Sequence, residues 1–234
     1  MTGTLINVAA ILVGGTLGLL LGGRLPERIS KTVVAGMGLF VLAFGLYDFL
    51  KTQNPLIVLG GLLIGALLGE WARIEDGLNR LGEALEARFA GKDKGSGRFV
   101  RGFLITSLIF CVGPLAILGS IQDGLTGDYK MLAIKSVLDG FGSLAFASTL
   151  GVGVLFSAGM VLIYQGGISL LAAQLNAVVT PAMTAEMTAA GGVMLMGIAI
   201  SSLLEIKPIR VANFLPALVI TPLIVALLVL LGIK

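Results

Sequence analysis

From Thr4 to Leu231 the chain repeats one pattern: a run of roughly twenty mostly apolar residues, then a short polar break. A helix needs a run of that length to cross the hydrocarbon core of a bilayer. No water is available there, and a helix satisfies its own backbone groups within the segment. The expected fold is therefore all-α: a polytopic integral membrane protein with about eight transmembrane helices. The spans are expected over residues 4–21, 32–50, 56–71, 99–120, 131–149, 151–171, 187–204 and 211–231. Only 12% of the residues are charged and the mean hydropathy is +1.02, where a soluble domain carries about a quarter charged. The 34 glycines then read as faces that let helices approach closely, as at Gly60, Gly61, Gly65 and Gly69. No Lys or Arg precedes the first run, so it is expected to be a retained span rather than a signal peptide.

Two stretches depart from the pattern. Between residues 73 and 90, Ile74, Leu78, Leu81, Leu85 and Phe89 recur at helical spacing among Arg73, Glu75, Asp76, Arg80, Glu83, Glu86 and Arg88. That is an amphipathic cytoplasmic helix. It suits either docking to a partner or lying at the lipid headgroups with its basic residues toward anionic lipid. Residues 91–98 follow as a flexible basic linker. A second polar stretch, 172–186, separates the sixth and seventh spans. Asp48, Glu70 and Trp71 read as interface residues at span ends.

Basic residues mark the cytoplasmic side. With eight spans, Arg24, Arg28, Lys31, Arg73, Arg80, Arg88, Lys92, Lys94, Arg98, Arg101, Lys207 and Arg210 share one side, and the other keeps only Lys51, Lys130 and Lys234. This bias supports eight crossings with both termini outside the cytoplasm. The fifth span, 131–149, is the weakest, and a re-entrant segment there is the alternative.

The two halves carry faint self-similarity. Lys31-Thr-Val-Val-Ala-Gly36 resembles Met187-Thr-Ala-Ala-Gly-Gly192, and Asn54 before the third span resembles Asn213 at the eighth. Spans one to three then match six to eight in opposite orientation. Inverted repeats of this kind build secondary transporters, although Gly- and Leu-rich helices also align this well by chance.

Chemistry concentrates in the fifth span. Lys135 and Asp139 are four residues apart, so they share a helix face and can pair. Each charge at a bilayer centre costs roughly 2.5–3.5 kcal/mol on insertion scales, so such residues face a cavity or a partner. Ser143 and Ser148 add hydroxyls along that helix, and Gln122 and Asp123 end a fourth span that Pro114 is expected to kink. Tyr164 and Gln165 lie in the sixth span, and Asn7 is the polar side chain of the first. These nine residues are the candidate substrate or ion pathway. The competing readings are a structural ion pair that fixes helix packing, or Lys135 snorkelling to the interface.

No histidine is present and Cys111 is the single cysteine, which excludes imidazole metal sites and an internal disulfide. No phosphate loop and no Gly-x-Ser-x-Gly elbow appears, so neither an intrinsic ATPase nor a hydrolase is expected. No enzymatic activity, metal, cofactor or nucleic-acid partner is expected.

Ile117-Leu-Gly-Ser-Ile-Gln-Asp-Gly-Leu-Thr-Gly-Asp128, Lys135-Ser-Val-Leu-Asp-Gly140, Ala145-Phe-Ala-Ser-Thr-Leu-Gly151 and Tyr164-Gln165-Gly166 resemble the YqgA/YdfK-type bacterial membrane proteins over essentially the full length. The resemblance implies a bacterial inner-membrane location and supplies no activity. The leading expectation is a transporter for a small solute or ion around Lys135 and Asp139. A passive channel and a non-transporting scaffold or sensor docking through helix 73–90 are the alternatives. The expected partners are the lipid bilayer, an unidentified solute or ion, and, through the glycine-rich faces, a homodimer.

Overall fold

The computed structural model describes residues 1–22, 26–89 and 97–232. The described residues are helical, with no strand. The helices are α1 (Thr2–Gly22), α2 (Glu27–Phe49), α3 (Pro55–Ala72), α4 (Ile74–Phe89), α5 (Arg98–Val112), α6 (Pro114–Thr126), α7 (Lys130–Leu150), α8 (Gly153–Leu170), α9 (Ala172–Val178), α10 (Pro181–Ile198) and α11 (Ala217–Leu230). A π-helical turn, Ala199–Leu203, prolongs α10, and a 3-10 turn, Val211–Phe214, precedes α11. Of the linker expected over 91–98, residues 91–96 lie outside the described residues, as do Arg24, Lys92 and Lys94.

Among the described residues, seven helical stretches are long and apolar enough to cross a membrane, and the bent pair α5–α6 makes an eighth if it is one span. Their exposed faces are apolar, as at Leu20, Phe40, Leu67, Phe141 and Leu230. Their buried positions include Asn7, Asp48, Asp139, Gln165 and Glu186. Polar groups inside and apolar groups outside suit a lipid surround. The protein is an all-helical polytopic membrane protein.

Local chemistry sets the helix ends. Asn54 caps α3, its side-chain oxygen accepting from the Leu56 N–H at 3.1 Å, with Pro55 in the first turn. Arg73 (φ 51°) ends α3 in the left-handed region and turns the chain directly into α4. Thr180 caps α10 through the Met183 N–H (3.2 Å), again followed by proline. The helix therefore starts at Pro181, six residues before the expected span at 187, because this cap-and-proline pair lies inside the stretch taken as a polar connection. The expected span 99–120 is two helices meeting at Gly113, which is extended (φ −74°, ψ 152°), with axes bent by 61°. A proline has no N–H to continue the ladder, so α5 stops and α6 restarts. The weak fifth span is one continuous helix of 21 residues, about 30 Å long.

The chain divides into two compact units. The first comprises Met1–Met37 and Asn79–Ala177. In it, Gly14, Gly18 and Gly22 of α1 face the backbone carbonyls of Gly140, Leu144 and Ser148 of α7 so closely that a Cβ would overlap them. Both series climb by four, so α1 and α7 run parallel. Gly15 faces Leu155 and Gly166 faces Met1, so α1 and α8 run antiparallel. Phe99, Phe103, Phe110 and Leu132 are fully buried, and Phe156 sits 5.1 Å from both the Phe99 and the Phe89 rings.

The second unit comprises Gly38–Leu78 and Val178–Lys234. Gly61, Gly65 and Gly69 of α3 meet Thr221, Ala217 and Asn213 in descending order, so α3 and α11 are antiparallel. Gly38 meets Leu204 and Gly45 meets Gly192, which sets α2 antiparallel to α10. Val58, Ala189 and Ala190 form the centre, with Phe49, Leu62 and Val193 against it. The first turn of α4 is tied here: the Glu75 N–H donates to the Asn213 side chain (2.8 Å), and the Glu75 carboxylate accepts from the Ala212 N–H (3.1 Å). Burial raises the Glu75 pKa above its ordinary value, outweighing that hydrogen bond and the nearby Arg210 charge.

Candidate functional site

In the first unit, α7 presents Lys135 and Asp139 one helical turn apart. The Lys135 ammonium donates to Asp139 Oδ2, and the two side chains are only 5% and 10% exposed. Asn7 of α1 reaches the same oxygen, its Nδ2 donating at 2.9 Å, and is also 3.4 Å from Gln165 Oε1 on α8. The Lys135 ammonium lies 5.9 Å from the centre of the Phe110 ring, three residues before the break at Gly113. Side chains of three helices thus form one hydrogen-bonded chain, with Lys135 and Asn7 on the Asp139 carboxylate and Gln165 on Asn7, beside an interrupted helix.

The orientation of both amides follows from the carboxylate. An ionised Asp139 only accepts hydrogen bonds, so Asn7 turns its Nδ2 inward, and Gln165 then presents its oxygen. This leaves Asn7 Oδ1 and Gln165 Nε2 without partners among the described residues, both on side chains with no exposed surface. Thr4 Oγ1, one turn before Asn7 on α1, and Ser107 Oγ on α5 are also buried and unpartnered. Each such group costs about 1–3 kcal/mol of lost solvation.

The structure brings together Asn7, Lys135, Asp139 and Gln165 of the nine candidates. Tyr164 stands next to Gln165 and forms none of the network's hydrogen bonds. Asp123 is buried at the start of α1, where one oxygen accepts from the Gly3 N–H (3.0 Å) and the other has no partner. Gln122 points elsewhere, because its amide donates to Asp128 at the end of α6 (3.3 Å). Ser143 clamps helices together, donating to the Ile11 carbonyl of α1 at 2.8 Å. Ser148 is not part of the centre: its hydroxyl donates to the Ala145 carbonyl of its own helix (2.8 Å), some 13 Å along α7 from Asp139 at ~1.5 Å per residue.

The family model described as "Protein of unknown function (DUF554)" matches residues 2–226. The chain belongs to the DUF554 family. It is similar to "Uncharacterized protein YqgA" of Escherichia coli (strain K12), 36% identical over 221 residues covering 93% of each chain. It is also similar to "Uncharacterized membrane protein YdfK" of Bacillus subtilis (strain 168), 28% identical over 229 residues covering 96% of each. No solved structure matches this chain.

The second unit of this DUF554 chain holds two buried carboxylates that sequence reasoning missed. Glu186 of α10 accepts from Thr52 Oγ1 (2.5 Å) and from the Gln53 and Asn54 N–H groups (2.7 and 3.0 Å), closing the start of α3. The Thr180-Pro181 pair was the available signal that Glu186 lies inside a helix. Asp48, read as an interface residue, is 1% exposed. It takes Lys51 on one oxygen at 2.6 Å, and the other oxygen has no partner.

Proposed function

We propose that this membrane protein is a transporter for a small solute or ion, with the Lys135–Asp139 pair and its amide neighbours Asn7 and Gln165 as the intramembrane site. The observation that carries the reading is the incomplete network. A pair that only fixes packing needs its own two charges satisfied and nothing more. Here an acceptor on α1 and a donor on α8 are left over beside it, available to a solute or to water once the helices separate. The broken α5–α6 helix beside Lys135 supports the reading, since discontinuous helices flank midplane sites in secondary transporters. So do the antiparallel pairs α1/α8, α2/α10 and α3/α11, the orientation that an inverted repeat of spans one to three and six to eight requires. No enzymatic step is part of this reading.

The topology we propose has eight crossings. Because α1 and α7 run parallel and α2 and α3 cross between them, α7 starts on the side where α1 starts only if the α5–α6 pair crosses as well. With the basic residues inside, both termini are non-cytoplasmic, in the inner membrane of a bacterium.

Purified protein in liposomes, loaded or bathed with labelled ions and small metabolites, tests the reading. A transporter loses uptake in Asp139→Asn and in Asp139→Asn with Lys135→Met, the double variant keeping native circular dichroism and elution profile because no buried charge is left unpaired. A channel keeps flux and changes selectivity. If Asp139→Asn leaves every flux at the level of the parent protein, the site reading is wrong.

A further inference from the structure

We propose that α4 is a docking surface for anionic phospholipid headgroups, gripped by Arg80 and Arg88. The helix has two opposed faces. Gly82 and Glu86 are buried, and Gly82 faces Val100 and Phe103 of α5 at 3.1 and 3.3 Å from where its Cβ would stand. Offset by two residues, and so by about 200° around the helix, Arg80, Ala84 and Arg88 follow one another in steps of four, all exposed. Neither arginine, nor Arg73 before the helix, forms an ion pair among the described residues. Arg88 leans only on the Phe89 ring, 5.8 Å away.

The surroundings select a lipid surface as the occupant. A single residue, Arg73, separates the end of span α3 from α4, so the first turn of α4 lies where that span leaves the hydrocarbon. The far end is held by the Phe89 contact with Phe156 of span α8. Gly82 likewise faces Val100 near the start of α5, so the second half of α4 lies where α5 and α8 enter the hydrocarbon. Large apolar side chains flank the arginines, Leu81 and Phe89 being about half exposed, and Trp71 at the end of α3 is 86% exposed. Aromatic rings beside arginine are the composition of an interfacial helix that inserts its rings and pairs its cations with phosphate. Of the acids of α4, Glu75 is bonded to Ala212 and Glu86 is buried, while Asp76, four residues before Arg80, is half-buried on the same stripe and Glu83 is exposed beside it. This surface is independent of whether the central pair transports anything.

Trp71 is the only tryptophan, so a Trp71→Phe background is silent. Ala84→Trp in that background places a reporter between the two arginines. The full-length protein is reconstituted into phosphatidylcholine bilayers carrying brominated phosphatidylglycerol or brominated phosphatidylcholine, and quenching gives the relative association constant of each lipid at the helix. The proposal expects phosphatidylglycerol to be favoured, and Arg80→Gln with Arg88→Gln to reduce that preference about 25-fold, roughly fivefold per arginine near a charged membrane surface. Molar salt reproduces the loss. Equal quenching by the two lipids overturns the proposal, as does a preference that survives the double substitution in a natively folded protein. A reporter quenched by neither lipid overturns it in favour of a water-facing or protein-docking helix.

Discussion

Glu186→Ala is expected to loosen the start of α3, and the structure sets the size of the effect. One carboxylate accepts three hydrogen bonds there, from the Thr52 hydroxyl and the Gln53 and Asn54 N–H groups. Bonds to a charged acceptor contribute about 1.5–3 kcal/mol each, but Gln53 and Asn54 lie at the surface, where water replaces much of what is lost. The expected net loss is therefore about 2–3 kcal/mol. Glu186→Gln keeps an oxygen for the two N–H groups, and the Thr52 hydroxyl can turn to accept from the new amide. That substitution gives up only charge assistance, about 1 kcal/mol. Asn54→Ala removes the separate cap on Leu56, also worth about 1 kcal/mol. Reversible unfolding in mixed micelles, with hydrogen exchange at Gln53 and Asn54, reads all three. Equal effects of Ala and Gln at position 186 would refute the reasoning, since they would mean that no acceptor is needed there.

Gly18→Ala drives a methyl into the Leu144 carbonyl and should destabilise by upwards of about 1–3 kcal/mol. In contrast, Gly36→Ala meets nothing within 4 Å and should gain about 0.5–1 kcal/mol of helix propensity; the same unfolding assay checks both. Lys135→Met alone strands the buried Asp139 carboxylate and is expected to cost about 3–5 kcal/mol, whereas Lys135→Met with Asp139→Leu recovers most of it. Full transport by that apolar double variant would assign the pair to packing. Glu75 has a raised pKa because burial disfavours its charge. The folded state binds its proton more readily than the unfolded one, so its contribution is fully present below the ordinary value of 4.5 and is lost as pH rises through the higher folded value. Comparing the unfolding midpoint with that of Glu75→Gln across mildly acidic pH tests the sign: the difference should shrink on acidification.

What was legible in the sequence is what one segment decides by itself. Twenty apolar residues set a span, Gly113-Pro114 sets a break, and a four-residue spacing sets the Lys135–Asp139 pair. What was not legible is which helix answers which. Asn7 and Gln165 are 158 residues apart, and nothing local to either names the other or Asp139. The glycine stripes announced close approach but not the partner helix, because a stripe of small residues fits any backbone. Glu186 was hidden for a further reason. Two of its three donors are backbone N–H groups, which every residue but proline carries, so its partners leave no mark in the sequence.

The two units therefore use a buried carboxylate in opposite ways. Glu186 accepts three hydrogen bonds that all belong to the start of α3, so it holds two helices together and has nothing to offer a passing molecule. Asp139 is held by Lys135 of its own helix and Asn7 of another, and its presence forces an unpaired acceptor and an unpaired donor onto the neighbouring amides. Removing the charge at 139 as Asp→Asn releases that constraint: Asn7 can then reverse its amide and pair with the new side chain and with Gln165. The same change leaves the buried Lys135 ammonium without its counter-ion, a cost of about 3–5 kcal/mol, so the variant that should hold its fold while losing function is Asp139→Asn combined with Lys135→Met. A charge pair whose joint removal spares the fold is kept for what it does, whereas a carboxylate whose removal unravels a helix start is kept for what it holds.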